Sequence, residues 1–140
     1  MARSRERLRT LPPEEFERHV GRLFEALGYE VTLTPKSNDE GIDLYLKKNS
    51  PGAIVQCKRY TSTKVSRPDI QQLYGVLHHK RANEAFFVTT GEFSRQAREF
   101  AKNKPIHLIG LEKLVQMGDG AFTEEFIRSG PAGRLKDQAD

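Results

Sequence analysis

The sequence predicts an α/β fold: one central mixed β-sheet with helices packed on both faces. Three observations lead there. Phe16, Val20, Leu23, Phe24 and Leu27 recur at helical spacing. Three short strand-like runs follow between Tyr29 and Tyr60. From Pro68 onward, helical and strand patterns alternate, which is how strands are added to a sheet by crossovers. The 140 residues are enough for one domain.

Residues 1–10 read as a basic N-terminal arm, residues 11–128 as the folded domain, and residues 129–140, with Gly130, Pro131 and Gly133, as a flexible tail. Thr10 is the expected cap of the first helix. Pro12 and Pro13 suit its first turn, and Glu14 and Glu15 suit its positive end. Gly28 ends that helix in a left-handed conformation. Strands are expected at Tyr29–Thr34, Gly41–Lys47 and Ala53–Tyr60. The turn signal Asn49-Ser50-Pro51-Gly52 makes the last two a hairpin. A helix over 68–80 carries Ile70, Leu73, Tyr74 and Leu77 on one face. Glu84–Thr90 is nearly all apolar, as a buried central strand should be. A helix over 93–102, capped by Gly91 or Ser94, a strand over 106–109 and helices near 111–117 and 123–128 complete the order.

Composition narrows the function classes. The chain is 36% hydrophobic and 30% charged, with no apolar run long enough to span a bilayer. The Arg-rich start has no apolar run behind it, so it does not read as a secretory signal. Cys57 is the single cysteine, which excludes an internal disulfide and a cysteine zinc cluster and fits a cytoplasmic protein. His78 and His79 are expected to face solvent. His19 and His107 form no metal spacing. The net charge of +4 is concentrated in Arg3, Arg5, Arg7 and Arg9 and again in Lys58, Arg59, Lys64 and Arg67, clusters compatible with phosphate contacts.

The hairpin carries the informative chemistry. With its turn centred between Ser50 and Pro51, Asp43 falls opposite Lys58, and Tyr45 opposite Gln56. Side-chain alternation then places Asp43, Gln56 and Lys58 on one face, with Ile42, Leu44, Val55 and Cys57 against the core. An acid, an amide and an amine on one patch suit phosphodiester hydrolysis. Asp43, the Gln56 side-chain oxygen and the Cys57 backbone carbonyl can ligate a hard cation, and Lys58 can hold the attacking water. Glu17, just beside the apolar stripe, is the candidate missing ligand, directly or through water. Glu14 and Glu15 are its rivals. Asp39 suits capping of its own turn better than metal binding. Tyr60 reads as packing, and Cys57 as inert. Thr89, Thr90 and Ser94 are read as phosphate contacts or caps.

These residues also carry a resemblance. Phe16-Glu17, Leu27-Gly28-Tyr29-Glu30-Val31, Asp39-x-Gly41-Ile42-Asp43, Gln56-Cys57-Lys58-Arg59-Tyr60 and Val88-Thr89-Thr90-Gly91-x-Phe93-Ser94, with Ala97, resemble the catalytic domain of Mrr-type restriction endonucleases. Those belong to the PD-(D/E)xK nuclease superfamily and are similar to archaeal Holliday-junction resolvases. The likeness runs from about Leu11 to Met117. It implies a restriction-endonuclease-like sandwich, Asp43 as central metal ligand, Gln56 in the slot usually held by an acid, Lys58 as catalytic lysine and Glu17 as helix-borne acid. Gln56 departs from the superfamily pattern but not from the Mrr-type one. Ile42 stands where a proline is usual. Many Mrr-type proteins also carry a winged-helix domain, for which 140 residues leave no room.

The expectation is therefore a Mg²⁺-dependent endonuclease on duplex DNA, with Mn²⁺ able to substitute. DNA contacts are expected from Arg59, Lys64, Arg67, Gln71, Arg5 and Arg7. A homodimer would cut both strands, and neither a membrane nor a small-molecule substrate is expected. The alternatives are a nuclease for branched DNA or Holliday junctions, and a DNA-binding module that does not cleave.

Overall fold

The structure, a computed structural model, describes residues 2–35, 41–49, 52–59, 62–120 and 123–128. Strands β1 (Glu30–Leu33), β2 (Leu44–Lys47) and β3 (Ala53–Lys58) form an antiparallel meander. Strands β4 (Glu84–Thr89) and β5 (Ile106–Ile109) then extend the sheet parallel to β3, in the spatial order β1-β2-β3-β4-β5. Antiparallel neighbours can be joined by tight turns, whereas the parallel pairs need crossovers. Helices α3 (Arg67–His79) and α4 (Arg95–Ala101) supply them.

The sheet separates two cores. On one side β4 sends Phe86 and Val88 toward the stripe of α2 (Pro13–Ala26) and toward α5 (Leu111–Gly118). On the other it sends Ala85 and Phe87 toward Ile70, Leu73 and Leu77 of α3 and Ala97 of α4. Both faces of β4 are thus covered, which is why its sequence is nearly continuous in apolar residues. Phe16, Val20, Leu23 and Phe24 of α2 are buried as the periodicity requires. Gly28, at φ +99, turns the chain out of α2 into β1. Ser94 caps α4 by accepting the Ala97 N–H at 3.0 Å.

Two expectations fail at the N-terminus. The arm is a helix, α1 (Ala2–Thr10), seated on α5 by Leu8, which is only 5% exposed. Arg5 adds paired hydrogen bonds to Glu112 at 2.7 and 2.5 Å. Thr10 ends α1 rather than capping α2; its hydroxyl donates to the Glu6 and Arg7 carbonyls, and Pro12 occupies the cap position. A single apolar anchor gives no periodicity, so nothing in the local pattern marks α1 as a packed element. At the other end, α6 (Glu124–Arg128) packs beside β5 through buried Ile127. The tail at 129–140, the loop at 36–40 with Asp39, and Tyr60 lie outside the described residues.

Candidate active site

The hairpin register differs from the expected one by two residues. Leu44 pairs with Val55, Tyr45 with Ile54 and Leu46 with Ala53, so Tyr45 does not face Gln56. The alternation also breaks at Asp43. Ile42 joins the core under α3, whereas Leu44, two residues on, joins the core under α2. An unbroken strand would keep them on one face. The backbone explains the break: the Asp43 N–H donates to the Val55 carbonyl at 2.8 Å, although Leu44 is the residue paired with Val55. Two residues answering one is the signature of a β-bulge.

The bulge turns the Asp43 side chain toward β3. Its Oδ2 accepts the Cys57 backbone N–H at 2.7 Å, a bond a strand carbonyl would otherwise receive. From the β1 side, Thr34 fixes the same segment. Its N–H donates to the Asp43 carbonyl at 3.1 Å, and its hydroxyl to the Ile42 carbonyl at 2.6 Å. Asp43 is therefore held by the main chains of both neighbouring strands.

Glu17, in the second turn of α2, hydrogen-bonds the Asp43 carboxyl. Burial, the Asp43 charge and that shared bond raise the Glu17 pKa to about 7. Burial also raises Asp43. The Cys57 N–H, the Glu17 bond and the Lys58 charge pull in the opposite direction. Lys58, at the end of β3, is thus within electrostatic reach of Asp43, although it is not directly opposite it. Gln56 is half-buried and lies against Gly41. Gly41 has φ +84, and a Cβ there would come within 3.2 Å of the Gln56 Nε2. Thr34 and Gly41 are positioning residues that the pattern of charged groups did not single out. The sequence signal for Gly41 was its place two residues before Asp43.

The arrangement suits a hard cation. Two carboxyls in contact retain a proton between them unless a cation offsets their charge. Among the described residues no three His, Cys, Asp or Glu side chains cluster as a metal site. The donor set is accordingly two carboxyls, with neutral oxygens of the amide and peptide type nearby. Cys57 packs against the α2-side core, and burial raises its thiol pKa well above the ordinary range, so it is protonated at neutral pH.

The residues expected to touch DNA are more dispersed. Lys64, Arg67 and Gln71 are exposed on and before α3. Arg67 also sits over the Phe100 ring at 5.4 Å, and Lys64 lies 4.0 Å from Glu92. Arg59 is half-buried, donating to the Arg9 carbonyl at 3.2 Å, and Arg7 is exposed on α1. Arg5 is engaged by Glu112. His78 and His79 are exposed, as expected, while His107 bonds Glu84 at 2.8 Å.

Comparison with known proteins places the chain in a family. The family model described as "Restriction endonuclease", the Mrr catalytic domain, matches residues 8–118. The chain belongs to the Mrr restriction endonuclease family. Within the Mrr family it is 33% identical over 121 residues to the type IV methyl-directed restriction enzyme EcoKMrr of Escherichia coli K12. That match covers 80% of this chain and 40% of EcoKMrr, so the chain spans about two fifths of that relative. Among solved structures, the DNA modification-dependent restriction endonuclease AspBHI superposes with a TM-score of 0.69 at 22% identity, over 87% of this chain and 36% of that one. The MspJI restriction endonuclease in complex with a 27-mer oligonucleotide gives a TM-score of 0.54 at 26% identity, over 73% of this chain and 26% of MspJI. This chain's five-stranded mixed sheet with flanking helices is thus a fold shared with the restriction endonuclease AspBHI.

Proposed function

We propose that this Mrr-family chain is an endonuclease that hydrolyses phosphodiester bonds in duplex DNA with the help of Mg²⁺. The observation that carries the reading is the Glu17–Asp43 carboxyl pair, pinned by the Cys57 N–H beside Lys58. Asp43 and Glu17 would hold the cation, Glu17 directly or through water, with the Gln56 side-chain oxygen and the Cys57 carbonyl as neutral donors. Bound there, Mg²⁺ lowers the pKa of water and polarises a phosphoryl oxygen. Lys58 orients the attacking water and offsets charge that builds on the phosphate. Hydrolysis is direct, since the Cys57 thiol is packed against the core and protonated. Mn²⁺ substitutes for Mg²⁺.

Among the described residues no helix is long and apolar enough to cross a membrane; work on DNA in the cytoplasm is the place the restriction endonuclease family suggests. EcoKMrr is named as methyl-directed and AspBHI as modification-dependent, so methylated DNA is the first substrate to offer. Cutting both strands calls for two copies of the site, supplied by a homodimer.

The test uses supercoiled plasmid, linear duplex and a four-way junction, each methylated and unmethylated, with Mg²⁺, Mn²⁺ or excess EDTA. Nicking or linearisation of duplex that stops in EDTA is expected. Asp43→Ala and Lys58→Ala should abolish it while circular dichroism stays native. Cleavage that persists in EDTA contradicts the metal-assisted reading, and exclusive cutting of the junction points to a resolvase.

A further inference from the structure

A cleft of about 510 Å³ opens at the carboxyl ends of the parallel strands, apart from the carboxyl pair. Its walls are residues 62–64 after β3, 90–93 after β4 and 110–113 after β5, closed by Arg9 of α1 and Arg98 of α4. Ends of parallel strands are where open α/β sheets usually place ligands. The position relative to the carboxyl pair is fixed by register. Lys58 is the partner of Thr89, so the cleft begins one residue past the strand pair that carries Lys58. Neighbouring strands lie about 4.8 Å apart.

The lining is cationic. Arg9, Lys64, Arg98 and Lys113 face two acids, Glu92 and Glu112. Glu112 is already answered by Arg5 from outside the cleft, and Glu92 by Lys64 at 4.0 Å. Positive charge is therefore in excess. Of these cations Lys113 is only 5% exposed, and its ammonium is engaged by α6, donating to the Ile127 carbonyl at 3.5 Å and lying 5.4 Å from the Phe126 ring, so Arg9, Lys64 and Arg98 carry the charge offered to a ligand. Hydroxyls of Ser62, Thr63 and Thr90 add donors, and the positive end of α5 opens at Gly110. The walls are preformed: Val65 N–H donates to the Glu92 carbonyl at 2.7 Å, and Ser94 N–H to the Val65 carbonyl at 2.9 Å.

This chemistry suits a phosphate better than a base. Base binding needs an aromatic face to stack on. The aromatic residue lining the cleft, Phe93, is buried and set edge-on to Phe87 at 6.0 Å and 79°. We propose that the cleft seats a backbone phosphate of bound DNA next to the one being cut, and so fixes the position of the strand over the carboxyl pair. This rests on the nuclease reading above.

The experiment measures binding and cleavage separately on the full chain. Anisotropy of a fluorescein-labelled duplex is read in EDTA across a salt series. Arg98→Gln and the exposed-site charge variant Thr63→Glu should each raise Kd about ten-fold, and Arg98→Gln should lower the log–log salt slope by about 0.9 for each phosphate it no longer neutralises. Arg98→Lys should recover most of the affinity. In amide NMR spectra, duplex DNA should shift Gly91 and Gly110. Folded Arg98→Gln and Thr63→Glu variants with wild-type Kd and slope overturn the proposal. So do Gly91 and Gly110 shifts produced by a deoxynucleoside monophosphate but not by duplex. Asp43→Asn, which should bind DNA normally and fail to cut it, separates the two claims: if it still cuts, the catalytic reading fails while the binding result stands.

Discussion

Two partly buried glutamates sit in opposite electrostatic surroundings. Glu84 opens β4. It accepts from Arg128 at 3.0 and 2.8 Å and bonds His107 at 2.8 Å, while Arg128 also donates to the Tyr29 hydroxyl at 2.7 Å. Burial alone would raise its pKa, but His107 and Arg128 outweigh burial and bring it down to about 2. Glu17, near the opposite end of β3, is pressed against a second carboxyl and is pushed up to about 7. The first cluster joins β4, β5, α6 and Tyr29, the residue that leads into β1, into one structural unit. The second opposes the stability of the ionised protein, and such an arrangement persists where chemistry calls for it.

The contrast breaks most sharply at Asp43. Asp43→Asn keeps an acceptor for the Cys57 N–H and removes the charge. Its DNA cleavage rate should fall on the order of 10³-fold or more, with the thermal midpoint in EDTA unchanged or higher. A wild-type rate would remove Asp43 from the chemistry.

Glu84→Gln should do the reverse: lower stability by roughly 3 kcal/mol in urea titrations while leaving cleavage per folded molecule intact. Its pH dependence has a definite sign. The folded pKa of about 2 lies below the ordinary 4.5, so the contribution is present above about pH 4.5 and is lost as pH falls toward 2. The gap between wild type and Glu84→Gln should close on acidification. For Glu17 the folded pKa of about 7 lies above the ordinary value, so stability is lost as pH rises from 4.5 through 7. Glu17→Gln should flatten that decline in EDTA, and a midpoint at pH 8 no higher than wild type would count against the carboxyl contact.

A smaller effect is expected at Gly41. Alanine there meets an unfavourable φ of +84 and presses on the Gln56 amide at 3.2 Å. Stability should fall by about 1 kcal/mol, and cleavage about ten-fold through displaced Gln56. Equal loss in a Gly41→Ala, Gln56→Ala double variant and in Gln56→Ala alone would confirm that route.

Much of this was legible in the residue pattern. The order of strands and helices followed from periodicity, because the α2 stripe and the apolar β4 run are both dictated by burial. Asp43, Lys58 and Glu17 were selected together, and the structure brings Glu17 and Lys58 each within electrostatic reach of Asp43. The register was missed because it assumed a turn centre and unbroken alternation, whereas a side-chain oxygen replaces a ladder acceptor at Asp43. Nothing local encodes that substitution. α1 was missed because Leu8 is, among the described residues, its lone core anchor. The Glu84–Arg128 cluster and the cationic cleft join segments far apart in the chain, which single-sequence periodicity does not see.

The bulge at Asp43 does more than aim a carboxylate. Regular pairing of β2 with β3 ends at Leu44 and Val55, so Gln56, Cys57 and Lys58 continue in ladder contact with β4 alone. The hairpin is a fork, and the acid sits in its crotch as a tie, its N–H reaching the Val55 carbonyl and its carboxyl taking the Cys57 N–H. The carboxylate is thereby fixed to the main chain at the point where the strands part, so its place on the sheet is set by backbone bonds rather than by its own rotamer freedom.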